Sequence, residues 1–159
     1  TMASESESPA TFLIGRQLEL VTQVLDRIVP RHDRLPGAGE LGVATYVDGV
    51  IGKSAALKRL FSVGLRAIEE RSHDCKGEGF SELSDVEKDA VLRQVESDIP
   101  DFFEKLVQHA YTGYYIRPEV IELLGLEARP PQPQGYEVAP GDLSALDNVR
   151  KRGRMYREA

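Results

Sequence analysis

Apolar residues recur at steps of three and four in one segment after another, and this spacing constrains the fold more than any other feature. The first such segment covers about residues 16–29. Its apolar positions share one face of a helix: Leu18, Val21, Leu25 and Ile28. Pro30 ends the segment, because proline has no amide proton and clashes with the preceding turn. The pattern predicts a helix over 16–29 and a loop over 30–38.

Five further segments show helical spacing. Ser84 and Glu87 form a capping box, because the serine hydroxyl can accept from a free amide of the first turn while the glutamate reaches back. Pro100 and Pro118 open two other segments, since proline is favoured in a first turn, and Gly125 is the expected left-handed stop. The predicted helices cover about 39–51, 55–71, 85–97, 100–114 and 118–124, with a polar, glycine-rich loop over 72–80.

No segment alternates apolar and polar residues as a half-buried strand does. The predicted fold class is therefore all-α, a compact bundle of about six helices over residues 15–126, after a flexible polar N-terminus over 1–14. From residue 127 the composition changes. Four prolines favour an extended arm over 127–159, closer to polyproline II than to a helix: Pro130, Pro131, Pro133 and Pro140.

Charge and composition exclude several classes of function. The net charge of −6 and the pI near 5.2 argue against a general binder of nucleic acid or of anionic membranes. No run approaches the roughly 18 apolar residues that membrane insertion needs. The single cysteine, Cys75, excludes an internal disulfide framework. Because the N-terminus lacks a basic or apolar signal segment, we expect a cytoplasmic protein, or a periplasmic one if a signal has been removed.

Two glycine-containing stretches imitate nucleotide-binding motifs. The segment Gly37-Ala-Gly-Glu-Leu-Gly42 matches the dinucleotide fingerprint, but that motif must follow a parallel strand. The preceding residues contain Pro30 and Pro36 and cannot form a central strand. Gly52-Lys53-Ser54 resembles the end of a phosphate-binding loop, yet Val47 stands where its first glycine is required. Both stretches are interpreted as breaks beside helices, so no cofactor is predicted in this chain.

Metal and catalytic sites are not predicted either. The three histidines share no metal-ligand spacing, and His73-Asp74-Cys75 is well short of the four ligands of a structural zinc site. There is no haem-attachment motif, and no serine or cysteine stands in a nucleophile-elbow context. The sequence therefore predicts no catalytic residue.

Two features have the composition of a partner interface. Tyr111, Tyr114 and Tyr115 precede Arg117, and interface hot spots are enriched in tyrosine and arginine. The alternative is that Tyr111 and Tyr114 only complete the core of their helix. The C-terminal end is a basic segment on an acidic protein. It is either a tail in solvent or a segment that binds an acidic partner. The predicted interface residues there are Tyr136, Arg150, Arg152, Arg154 and Tyr156.

The order of these motifs resembles the gluconate 2-dehydrogenase subunit 3 family over about residues 16–126. The stretches that carry the resemblance are Leu25-Asp-Arg-Ile-Val-Pro30, Leu35-Pro-Gly-Ala-Gly-Glu-Leu-Gly-Val43, Tyr46-Val-Asp48, Phe80-Ser-Glu-Leu-Ser84, Phe102-Phe103, His109 and Thr112-Gly-Tyr-Tyr115 before Pro118. The chain departs from the family in lacking its twin-arginine export signal. It also lacks the glycine-rich stretch that follows Pro118 in many relatives.

The resemblance implies a non-catalytic small subunit of a heteromeric dehydrogenase that oxidises sugars or alcohols. In such complexes the large subunit holds FAD and the catalytic residues, and a cytochrome c subunit often accepts the electrons. The small subunit helps the large one to fold. A competing interpretation is a helical regulatory protein that binds nucleic acid through its basic C-terminal tail, which the overall acidity opposes.

Overall fold

A computed structural model describes residues 12–126 and residue 151 of this protein. Over 12–126 the chain forms six α-helices and one short 3-10 helix, and the all-α fold class is confirmed. In chain order the elements are α1 (Arg16–Ile28), α2 (Val43–Gly52), α3 (Ala55–Lys76), the 3-10 helix (Phe80–Glu82), α4 (Asp85–Asp98), α5 (Pro100–Tyr115) and α6 (Pro118–Leu123). The predicted arm over 127–159 falls almost wholly outside these residues.

Local signals in the sequence set most of the helix ends. The capping box at the start of α4 is present, since Ser84 N donates to Glu87 Oε2 at 2.8 Å and Glu87 N donates to Ser84 Oγ. Pro100 and Pro118 occupy the first turns of α5 and α6. Gly125, with φ of 74°, takes the left-handed conformation expected of it after α6.

Two predicted boundaries were wrong. α3 continues five residues past Arg71 to Lys76, so the expected loop over 72–80 is shorter. The extension includes Ser72, which is buried and whose hydroxyl is satisfied within the helix by donating to the Ile68 carbonyl at 2.7 Å. α2 begins at Val43 and not near Gly39, because the preceding residues form turns that end in the left-handed Gly42.

The core lies where α3 crosses α5. Phe61 and Phe102 are fully buried, and their rings meet edge to face with centroids 5.2 Å apart. The Phe102 ring also covers Gly64 so closely that a Cβ at that position would overlap it. Close approach of the two helices therefore depends on the absence of a side chain at this glycine.

Asp48 joins the segment before α1 to α2. Its carboxylate is 7% exposed and its Oδ1 accepts hydrogen bonds from Phe12 N at 2.8 Å and Leu13 N at 2.6 Å. Burying a carboxylate is costly unless donors satisfy it, and here two backbone amides do so. The bonds hold Leu13 in the core beside α2, where it is fully buried.

Candidate partner surface

One flank of α5, beside its buried face, is apolar. Its buried face supplies Phe102, Leu106, Ala110, Gly113 and Tyr114 to the core. A second set of apolar residues repeats at intervals of four along this flank, and these remain partly or largely exposed: Phe103, Val107, Tyr111 and Tyr115. Residues four apart are neighbours on a helix surface, so this set forms a continuous ridge.

The ridge ends in two stacked tyrosines. Tyr111 and Tyr115 are 45% and 50% exposed, and their rings lie nearly parallel with centroids 6.2 Å apart. Two exposed aromatic rings held against each other present a large, rigid area with few rotamers to lose on binding.

Further exposed apolar side chains follow on the α5–α6 corner, at the end of α6 and just after it. They are Ile116 at 53%, Leu123 at 47%, Leu124 at 45% and Leu126 at 61% exposed. Together with Tyr111 and Tyr115 they make up what we call the apolar end of the domain. The sequence prediction missed these four residues. A signal was available, because five of the seven residues over 120–126 are apolar, more than one face of a short helix can bury.

Tyr114 differs from its neighbours. It is 2% exposed, its hydroxyl donates to the Pro36 carbonyl at 2.8 Å, and its ring meets Tyr115 edge to face. Burial raises the pKa of the Tyr114 hydroxyl, so the group keeps its proton and remains a donor. Tyr114 therefore completes the core of its own domain, and the exposed surface is contributed by Tyr111 and Tyr115.

Arg117 lies in a groove between the start of α2 and the α5–α6 corner. One terminal nitrogen, Nη2, donates to the Gly42 carbonyl at 3.1 Å. Its Nε is buried and has no hydrogen-bond partner within the described part of the chain. The groove has a volume of about 580 Å³, and the other residues that line it are Leu41, Gly42, Thr45, Tyr46, Ile116 and Pro118.

A second groove runs beside the α5 ridge. Phe103, Val107 and Tyr111 form one wall of this cleft of about 250 Å³. Across it, Arg27 of α1 holds α4 through Asp89, with bonds of 2.8 and 2.9 Å, and through Asp85 at 2.9 Å. The hydrogen bond from Arg27 lowers the pKa of the Asp89 carboxyl, so the pair stays charged.

The stretch that imitates a dinucleotide fingerprint has a structural role. Gly39 N donates to the Asp26 Oδ1 at 2.7 Å, and a Cβ at either Gly37 or Gly39 would overlap the Asp26 carboxylate. The glycines are therefore explained by the carboxylate that fits between them. Gly113 has a similar function, because a Cβ there would lie 2.5 Å from Tyr46 Cδ1 and 2.7 Å from Val43 Cγ1.

The remaining predicted site residues, Tyr136, Arg150, Arg152, Arg154 and Tyr156, lie outside the described residues. Of the histidines, His109 is half-buried, and burial together with Lys105 lowers its pKa. Residues 12–126 contain no group of three His, Cys, Asp or Glu side chains that could hold a metal ion. In the same range no helix is both long and apolar enough to cross a membrane.

Fold and surface together describe a small all-α domain whose most distinctive surface is apolar. The family model for gluconate 2-dehydrogenase subunit 3 matches residues 15–130, and the chain belongs to this family. It is therefore of the kind found as a subunit of a dehydrogenase complex, which implies partner subunits. No match was found among the curated proteins or among the solved structures.

Proposed function

We propose that this chain is a non-catalytic accessory subunit that binds and stabilises the FAD-dependent large subunit of a sugar or alcohol dehydrogenase. The apolar end of the domain is the observation that carries the proposal. It places six large apolar side chains, each at least 45% exposed, on the last turn of α5 and over residues 116–126. Contiguous exposed apolar patches mark sites of protein association, whereas single exposed apolar residues need no explanation.

The composition of the apolar end also fits a protein partner. Tyr111 and Tyr115 supply aromatic area, and among residues 12–126 Arg117 is the only charged residue that lines the groove at the α5–α6 corner. Interface centres are enriched in tyrosine and arginine and depleted in other charged residues. Burying these side chains against a large subunit removes apolar surface from water on both partners, and binding stabilises the folded state of each of them.

Another stretch of the chain supports the assignment of catalysis to the partner subunit. The glycine stretch most similar to a cofactor motif is filled by Asp26, which supports placing the FAD and the catalytic residues in the partner. A cytochrome c subunit that accepts the electrons is a further partner within this proposal. The arm over 127–159 would lie across the large subunit, since its prolines pre-set an extended backbone and reduce the entropy lost on binding.

Co-expression with the large subunit tests the proposal. We expect the two chains to co-purify and the yield of soluble, FAD-loaded large subunit to rise. Tyr115→Ala should weaken the complex about tenfold, or about 1.4 kcal/mol, because it removes an aromatic side chain from the interface. Val63→Ala is the control, since Val63 is 52% exposed and lies on α3 between Phe61 and Gly64, which pack on Phe102 near the opposite end of α5.

Equal yield and activity of the large subunit without this chain would contradict the proposal. The arm is tested separately by ending the chain after Ala128. Residues 12–126 should keep their helical circular dichroism spectrum, while the complex weakens at least about tenfold. Unchanged binding of the shortened chain would remove the arm from the interface and leave the apolar end in it.

A further inference from the structure

We propose that the groove at Arg117 receives a carboxylate of the large subunit, an aspartate or glutamate side chain flanked by an apolar residue. This inference rests on the proposed function and assigns the chemistry of one contact within it. The groove opens between the start of α2 and the α5–α6 corner, and Ile116 belongs both to its wall and to the apolar end.

The guanidinium of Arg117 is held in place but its donors are not all used. The Nη2 bond to the Gly42 carbonyl fixes the side chain across the corner, while the buried Nε has no acceptor. Because the Nε is enclosed by the domain's own atoms, an acceptor that arrives from outside reaches the terminal nitrogens, of which Nη1 forms no hydrogen bond with residues 12–126. An anchored guanidinium with a free N–H suits a carboxylate, which can accept two parallel hydrogen bonds.

Nearby acidic residues within the described part of the chain do not neutralise Arg117. Glu40, in the loop before α2, is bonded through both carboxylate oxygens to Arg31, at 2.9 and 2.5 Å. Arg117 forms no ion pair with any residue of 12–126, whereas Arg27 forms two and Arg31, Arg66 and Arg71 form one each. The positive charge at the corner is therefore available to a partner.

The lining of the groove selects what accompanies the carboxylate. Leu41, Tyr46, Ile116 and Pro118 give it apolar walls. Apolar walls exclude water around the ion pair and strengthen it, and they offer area to an apolar neighbour of the acidic residue. A fully hydrated anion such as a free phosphate gains nothing from such walls. The occupant that fits is an acidic residue on an apolar protein surface.

Binding of the full-length chain to its purified, FAD-loaded large subunit tests the inference. Arg117→Gln should weaken the complex at least tenfold, and Arg117→Lys should recover part of the loss because it restores charge without the planar fork. Arg66→Gln is the matched control, since Arg66 is an exposed arginine paired with Glu70 on α3, and it should bind as the wild type does.

A second pair of variants keeps Arg117 and fills the groove from within. Thr45 is exposed and lines the groove, so Thr45→Glu would place a competing carboxylate beside the guanidinium, while Thr45→Gln adds similar bulk without charge. Thr45→Glu should weaken binding at least tenfold and Thr45→Gln should do so at most twofold. The unfolding midpoint of each variant, measured without the large subunit, shows whether that variant is folded under the conditions of the binding experiment.

Each outcome bears on the inference. Binding of Arg117→Gln within twofold of the wild type, or equal effects of Thr45→Glu and Thr45→Gln, would overturn it while leaving the accessory-subunit function standing. Absence of binding by the wild type would overturn both. If amide replacements of the arm carboxylates Glu127, Glu137 and Asp142 abolish the difference in binding between Arg117 and Arg117→Gln, the chain's own arm fills the groove, and the partner carboxylate is excluded.

Discussion

Two sides of this helical domain expose different kinds of side chain to water. Along α3 and α4, residues that face water are mostly charged and form ion pairs, among them Arg71 with Asp98 at 2.6 Å and Lys76 with Glu87 at 2.8 Å. At the apolar end, the exposed side chains are tyrosine, isoleucine and leucine. Both regions enclose one core. The difference therefore lies in their surfaces: the apolar end contributes six large exposed apolar side chains, whereas α3 and α4 contribute one each, Val63 and Val86.

Exposed ion pairs contribute little to the free energy of unfolding, about 0–1 kcal/mol each. Their abundance on α3 and α4 keeps that side hydrated and soluble rather than strongly stabilised. The exposed side chains of the apolar end gain no stabilisation from contact with water. The comparison predicts that substitutions in the shared core lower the free energy of unfolding most. It also predicts that exposed residues of the apolar end affect unfolding little, and that the contribution of the α3–α4 side depends on pH.

The largest effect on stability is expected at Gly64, in the shared core where α3 packs on α5. Gly64→Ala places a methyl group into the Phe102 ring, and such overpacking costs about 1–3 kcal/mol, only partly offset by the better helix propensity of alanine. Urea unfolding of the isolated chain measures the loss. Gly49→Ala on α2 is the control, because nothing lies within 4 Å of its added Cβ, and it should be neutral or slightly stabilising. Equal stability of the two variants would contradict the close packing of α3 on α5.

A smaller effect should separate the two adjacent tyrosines. Tyr114→Phe removes the donor to the Pro36 carbonyl and should lower the free energy of unfolding by about 0.5–1.5 kcal/mol. Tyr115→Phe changes an exposed residue and should stay within about 0.5 kcal/mol of the wild type. Thermal unfolding of both variants provides the comparison. A larger loss of unfolding free energy in Tyr115→Phe than in Tyr114→Phe would assign Tyr115 to the core and remove it from the apolar end.

The smallest effect is expected from acid titration of the α3–α4 side. The hydrogen bond from Lys76, with two from Ser84, lowers the pKa of Glu87 from 4.5 to about 2. Because the pKa is lower in the folded chain, the stabilising contribution is present above pH 4.5 and is lost as the pH falls through about 2. The difference in Tm between wild type and Glu87→Gln should therefore be constant above pH 5 and shrink below it. A difference independent of pH would mean that the ion pair contributes nothing.

Much of the fold was predictable because its boundaries are encoded locally. The starts of α1, α3, α4, α5 and α6 agree with the helical periodicity and with the proline and serine signals beside them. The start of α2 is different, since the turns over 37–42 are held by Asp26, a residue of another helix. The end of α3 was missed because Ser72 appears polar in sequence but is buried in the structure.

The candidate surface was predictable only in part, for a related reason. Tyr114 and Tyr115 are adjacent, and composition does not distinguish the tyrosine that faces the core from the one that faces outward. Their roles depend on the position of Pro36, far away in the chain. The residues of α6 were overlooked because a helix of six residues has too few positions for its buried face to be assigned from periodicity.

The hydrogen bond from Tyr114 to Pro36 spans 78 positions of the chain and has a consequence for synthesis. Translation proceeds from the N-terminus, so the loop at Pro36 leaves the ribosome long before Tyr114 does. Until α5 emerges, the Pro36 carbonyl and the α2 surface that later receives Gly113 stay in contact with water. The α2 corner closes only when the last long helix arrives. A nascent chain that stalls before residue 114 therefore exposes an unfinished core, and we expect chaperones to bind it at that stage.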